Sequence, residues 1–244
     1  MPLRAFFPPL LAAGLLRRFP FLLLLVPIFC PLTSRGQSAL TPAMNPTTRN
    51  ILFFGDSITA GYGLANPSAE AFPALVARKI KEANLPFNCV NAGLSGDTTS
   101  GGLRRIDWLL QRPVDILVLE LGGNDGLRGL PTPETARNLQ AIIDKTLAKY
   151  PQAKIVVAGM RMPPNFGADY VSRFEAVFPA VTNANPGTTL LPFILEGVGG
   201  LSKYNQRDQI HPTAEGHRII ADMVWQTLEP VCRAEVKAAA PAGL

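Results

Sequence analysis

A hydroxyl, an imidazole and a carboxylate in a suitable order are the minimum for nucleophilic attack on an acyl carbonyl. The chain offers few ways to assemble them, because it contains only two histidines, His211 and His217. His211 follows Asp208 by three residues in the loop Asp208-Gln209-Ile210-His211-Pro212. That spacing lets the carboxylate reach Nδ1 while Nε2 faces a serine, the division of labour of a Ser-His-Asp triad. His217 lies on the predicted closing helix without such a partner and is read as a surface residue of that helix. Serine hydroxyls are inert at neutral pH until a base takes the proton, and histidine titrates in the right range to do so. The candidate nucleophile is Ser57, in Gly55-Asp56-Ser57-Ile58-Thr59. Two further glycine-rich segments accompany it, Asn91-Ala92-Gly93-Leu94-Ser95-Gly96-Asp97 and Gly122-Gly123-Asn124-Asp125-Gly126. Each has a plainer reading alone: Gly-Asp-Ser is as often a simple turn, Asp-x-x-His an accident of spacing, Gly-Gly-Asn a loop. Asp56 is expected to hold the turn through nearby backbone, and Asp97 and Asp125 to stabilise loops or cap helices.

The elements that must position these residues give the set its weight. Ile51–Phe54 is an unbroken apolar run ending in Gly-Asp-Ser, and Phe87–Val90, Val114–Leu121, Ala153–Gly159 and Leu190–Phe193 are similar short runs. Between them, apolar residues recur at helical intervals over 69–84, 98–111, 132–150, 169–184 and 213–229. Thr132 is the expected N-cap of the third of these, with Pro133 at its first helical position. Near-continuous apolar strands alternating with helices describe a five-stranded parallel sheet covered on both faces. In such sheets ligands bind beyond the carboxyl ends of the strands. Three of the polar segments directly follow a strand there, and the fourth precedes the closing helix.

With these motifs in hand, the chain resembles the SGNH (GDSL-type) hydrolases. Phe54-Gly55-Asp56-Ser57-Ile58-Thr59-Ala60-Gly61-Tyr62 is similar to the family's first block, with Ile58 in place of the usual Leu. The later blocks follow in order: Asn91-Ala92-Gly93, Ser95-Gly96-Asp97-Thr98-Thr99, Glu120 to Gly129, and Asp208 to Pro212. Within the family it is most similar to the bacterial periplasmic multifunctional thioesterase/lysophospholipase/arylesterase group, over about residues 50–230. The resemblance implies an α/β protein with a three-layer α/β/α, flavodoxin-like sandwich and no cofactor. It implies Ser57 as nucleophile, His211 as general base and then acid, and Asp208 as its orienting partner. It also implies an oxyanion hole from the Ser57 and Gly96 backbone N–H groups and the Asn124 side-chain amide. Gly96 fits that role because no Cβ blocks its approach, and Asn124 because it is a neutral donor. The loop around 160–168 lines the acyl pocket in the family, which carries Met160, Met162, Pro163 and Phe166 over as pocket residues.

Composition bounds the rest. At 244 residues with 47% hydrophobic and 17% charged residues, the chain is globular, with room for one ordinary domain. Of the net charge of +5, Arg4, Arg17, Arg18 and Arg35 supply +4, and residues 1–40 hold no acid. The remainder is therefore nearly neutral, which argues against a nucleic-acid partner. Residues 1–38 read as a signal peptide or an N-terminal membrane anchor, with Phe19–Leu32 as the apolar core. Residues 39–49 read as a linker, 50–232 as the hydrolase domain and 233–244 as a tail. Cys89 and Cys232 belong to no C-x-x-C or Cys/His cluster, so no metal is expected, and they are read as unpaired thiols although pairing stays open. A monomer acting on small acyl esters or thioesters is expected. The alternatives are a carbohydrate O-acetylesterase of the same fold and a non-catalytic lipid- or ligand-binding module.

Overall fold

A computed structural model describes residues 48–239, so the expected signal or anchor and nearly all of the linker lie outside the described residues. Strand β1 (Arg49–Gly55) opens the domain, followed by the short helices α1 (Ser57–Ala60) and α2 (Pro67–Glu70) and by α3 (Phe72–Glu82). Next come β2 (Phe87–Asn91), α4 (Thr99–Leu109), β3 (Ile116–Glu120), α5 (Gly123–Leu127) and α6 (Thr132–Lys149). β4 (Lys154–Ala158), a 3₁₀ turn at Pro164–Phe166, α7 (Ala168–Glu175), α8 (Val177–Ala184), β5 (Thr189–Leu191) and α9 (Ala214–Ala239) complete it. All five strands are parallel, in the order β2-β1-β3-β4-β5. This is the flavodoxin-like order, whose switch point falls between β1 and β3. α3 packs with α9 on one face, and α4, α6 and α8 pack together on the other.

The sheet is the core. Ile51, Phe53, Phe54, Ile116, Leu117, Leu119 and Val157 are fully buried, and each such side chain contributes about 1.5–3 kcal/mol of transfer free energy. β2 is an edge strand, with Asn88 and Val90 exposed. Among the described residues no helix is long and apolar enough to cross a membrane.

Four local expectations need correction. The helix expected over 69–84 is two, because Pro73 has no N–H to donate to Ala69 and the chain turns extended at Ala71 before restarting. Pro179 likewise cannot bond back to Glu175, and the helix expected over 169–184 breaks into α7 and α8. Thr132 is the first residue of α6 rather than its cap; Pro131 holds the cap position, and no side chain caps the helix. The closing helix runs through Pro230 to Ala239 instead of ending at 229, so residues 233–239 are helix and not tail. Cys232 and Val236 continue the buried spacing of Val224 and Leu228, and Glu235 pairs with Arg49 of β1 and Lys154 of β4.

Candidate active site

At the carboxyl end of β1 the backbone turns sharply into α1, and Ser57 is the first residue of that helix. Asp56 caps the turn: its Oδ1 accepts the Ile58 N–H at 3.0 Å. Its Oδ2 accepts from Asn124 Nδ2, also at 3.0 Å, across the switch point. The expected turn-holding role of Asp56 therefore extends to orienting Asn124. Ser57 Oγ lies 2.9 Å from His211 Nε2, and His211 Nδ1 lies 2.6 Å from Asp208 Oδ2. The second Asp208 oxygen accepts the backbone N–H groups of Ile210 and His211, both at 3.0 Å. Partial desolvation pushes the Asp208 carboxyl up, but the His211 bond and these two N–H donors outweigh it and hold it down at about 2. An ionised, acceptor-only carboxylate fixes the proton of His211 on Nδ1 and leaves Nε2 to accept from Ser57.

Three loops converge on this chain of hydrogen bonds. Gly93 packs against the backbone of Thr59 and Ala60, where any side chain would collide. Gly96 adopts φ +79°, a left-handed conformation that glycine tolerates, and its carbonyl is held by Arg128 Nη2 at 2.9 Å. The N–H groups of Ser57 and Gly96 have no acceptor among the described residues. Asn124 spends one of its two amide hydrogens on Asp56 and keeps the other. Asp97 pairs with Arg105, and Asp125 accepts from the Thr99 hydroxyl and N–H, so both stabilise loops as expected.

Two supporting residues escaped sequence reasoning. Arg105 donates to Asp97, to the Ala92 carbonyl and to the Gly55 carbonyl, and its guanidinium lies 4.2 Å above the Phe54 ring. It ties the β1 and β2 loops together, and nothing in its helix-face position announces that. Glu120 sits beneath the turn, where one oxygen accepts the Asp56 N–H and the Thr59 hydroxyl. Its other oxygen is buried without a partner. Burial, and then the charge of Asp56, push Glu120 well above the ordinary carboxylate range. A carboxylate inside the longest apolar run was its visible signal. Burial likewise raises Asp56 to about 6, against the opposing Ile58, His211 and Asn124 contributions.

His217 is not on the surface. It is fully buried, accepts the Phe72 N–H at Nδ1 and lies parallel to the Phe72 ring. It shares the α9 face of Ile220, Ala221 and Val224, which is why it turns inward. Cys89 and Cys232 are free thiols, and burial pushes both up to about 12, so neither is a nucleophile at neutral pH. Among the described residues no three His, Cys, Asp or Glu side chains converge as a metal site requires.

Ser57, Asn124 and His211 open onto a cavity of about 490 Å³. Met160, Met162 and Pro163 line it, joined by Ile58, Leu127 and Leu195. Phe166 does not line it; the 3₁₀ turn swings its ring against Tyr170, with centroids 6.3 Å apart. Gly96 is exposed and is not part of the cavity wall.

A serine hydroxyl hydrogen-bonded to a histidine and through it to an ionised aspartate, at the switch point of a parallel sheet, defines a serine ester hydrolase of three-layer α/β/α build. Comparison with known proteins agrees. The model of the GDSL-like Lipase/Acylhydrolase family matches residues 53–219. The chain is 39% identical over 185 residues to Esterase TesA of Pseudomonas aeruginosa, covering 75% of this chain and 89% of that protein. It is 35% identical over 214 residues to Thioesterase 1/protease 1/lysophospholipase L1 of Escherichia coli, covering 87% and 92%. Among solved structures, that of TesA superposes with a TM-score of 0.71 at 38% identity, covering 75% of this chain and 99% of that one. The chain belongs to the GDSL-like lipase/acylhydrolase family.

Proposed function

We propose that this protein is an exported esterase and thioesterase that cleaves apolar acyl chains from small leaving groups through an acyl-Ser57 intermediate. The observation that carries the reading is the continuous path Ser57–His211–Asp208 opening into a cavity walled mostly by apolar side chains. His211 Nε2 takes the Ser57 proton as Oγ attacks the acyl carbonyl, and Asp208 stabilises the imidazolium that forms. The carbonyl oxygen becomes an oxyanion, received by the Ser57 and Gly96 N–H groups and by the free amide hydrogen of Asn124. His211 then protonates the departing oxygen or sulfur, and the bond from the acyl carbon to that atom breaks. A water molecule, deprotonated by His211, attacks the acyl-serine and releases the carboxylic acid. Met160, Met162, Pro163 and Leu127 shelter the acyl chain, while the leaving group faces solvent. A sugar acetate would require a shallow polar pocket, so the apolar walls favour acyl chains over carbohydrate O-acetyl groups. The basic, apolar segment 1–38 supports export, as a signal or an anchor.

The test is a series of p-nitrophenyl esters of increasing acyl length. Each buried methylene contributes about 0.8 kcal/mol, or roughly fourfold in kcat/KM, until the cavity is filled. The expected optimum lies well beyond acetate, and Ser57→Ala should abolish turnover of every ester. A preference for acetate, or turnover surviving Ser57→Ala, overturns the reading.

A further inference from the structure

Exposed apolar side chains are not spread evenly over this molecule. Seven large hydrophobic residues stand exposed among the described residues, and five of them lie at the carboxyl ends of the strands, Tyr62, Leu94, Leu201 and Ile210 on loops and Leu127 at the end of α5. Each is between 40% and 53% exposed. Three of them border the cavity mouth and two lie on adjoining loops. Leu127 and Ile210 line it, and the Tyr62 ring lies 4.6 Å from that of His211. Leu201 follows Gly199 and Gly200 of the wall, and Leu94 stands two residues before Gly96, which Arg128 binds. Scattered single hydrophobics are ordinary on protein surfaces, but a concentration around one opening marks an interaction site.

The charges of the same loops have one prevailing sign. Arg161 is paired there with Glu196 and Glu175, while Arg128, Lys203 and Arg207 are exposed against the single carboxylate of Asp208. Apolar side chains that enter an acyl boundary, ringed by cations that meet phosphates, match the two layers of a phospholipid surface. The other two exposed large hydrophobic residues among those described are Val90, on the edge strand β2, and Trp108, at the far end of α4.

We propose that the rim of the active site is a docking surface for an anionic phospholipid bilayer or micelle, which sets the cavity mouth against the lipid from which acyl chains enter. The proposal rests on the reading of this cavity as the acyl site, but the docking itself does not require Ser57. The full chain is mixed with vesicles of phosphatidylglycerol and phosphatidylcholine whose acyl chains carry bromine, a contact quencher of tryptophan. A Leu201→Trp reporter should be quenched on binding, whereas the fluorescence of the parent, from Trp108 and Trp225, should not. Lys203→Glu with Arg207→Glu should weaken binding to these vesicles at least tenfold and leave hydrolysis of dissolved p-nitrophenyl butyrate unchanged. On pure phosphatidylcholine the parent should bind as weakly as that variant. The N-terminal segment is present in every protein compared, so its own affinity for lipid cancels. Ser57→Ala should dock like the parent, which separates failure of docking from failure of the catalytic reading. An unquenched reporter, quenching of the native tryptophans to the same degree, or equal binding by the charge-reversed protein overturns the proposal.

Discussion

Replacing Asp56 by asparagine should make the protein more stable and much less active at once. Asp56 is 2% exposed, and its two oxygens accept from different partners, the Ile58 N–H and the Asn124 amide. Asparagine keeps one acceptor but turns the other into an NH₂ group that would face the NH₂ of Asn124. Two donors cannot share that contact, so Asn124 must flip and present its oxygen to residue 56. The amide hydrogen meant for the oxyanion is then misdirected. Losing one oxyanion donor costs about 2.7–4 kcal/mol of barrier, so kcat should fall by roughly 10²–10³. KM should change little, because that donor acts mainly on the charge that develops in the transition state. Asn124→Ala should fall by a similar factor, and the double variant Asp56→Asn/Asn124→Ala should be scarcely worse than either single one.

Stability should move the other way. Burial raises Asp56 from 3.8 to about 6, roughly two units, so ionising it in the folded protein costs on the order of 3 kcal/mol. A carboxyl with a raised folded pKa supports the fold fully below its unfolded pKa, and that support is lost as pH rises through about 6. The asparagine variant escapes this loss. Its Tm should exceed that of the parent at pH 8 and approach it at pH 4. Single-turnover kinetics on a p-nitrophenyl ester and thermal melts at the two pH values read both halves. Parental kcat in Asp56→Asn, or a stability gain that is the same at pH 4 and pH 8, refutes the reasoning.

His217 should impose the opposite pH dependence. Burial lowers it from 6.5 to about 4, so the fold loses stability as pH falls through that window, and His217→Gln should flatten the acid side of a Tm–pH profile. An unchanged acid limb would mean that the imidazole is hydrated in solution. Gly96→Ala would place its Cβ only in ordinary contact with Arg128 but must hold φ +79°, so it should cost about 1 kcal/mol of stability. It should also lower kcat at least tenfold as the loop relaxes and withdraws its N–H. If activity is untouched while Tm falls, Gly96 does not serve the oxyanion.

What could be read from the chain, and what could not, divides by the distance over which a residue finds its partner. The apolar run Ile51–Phe54 and the spacing of Val224 and Leu228 declare strand and helix because side-chain periodicity is local. Asp208 and His211 were legible for the same reason, since three residues in a loop suffice to join their side chains. Proline breaks are local too, yet at Pro73 and Pro179 an otherwise unbroken apolar spacing masks the missing N–H. The remaining errors and omissions are non-local. Arg105 acquires its role from carbonyls 13 and 50 residues away, and Glu120 from a turn more than 60 residues upstream. The spacing of His217 with Ile220, Ala221 and Val224 marks an inward face, but its partner Phe72 is 145 residues distant and not visible locally. Asp56 spans both cases. Its bond to Ile58 lies within reach of sequence reasoning, but its bond to Asn124 exists only because β1 and β3 are neighbours. That adjacency follows from the reversal of strand order at β1, which places the ends of the first and third strands side by side. Asn124 and the turn that carries Ser57 are therefore coupled by the topology of the sheet through one carboxylate. A single substitution at Asp56 should consequently disturb catalysis on one strand by altering a turn on another.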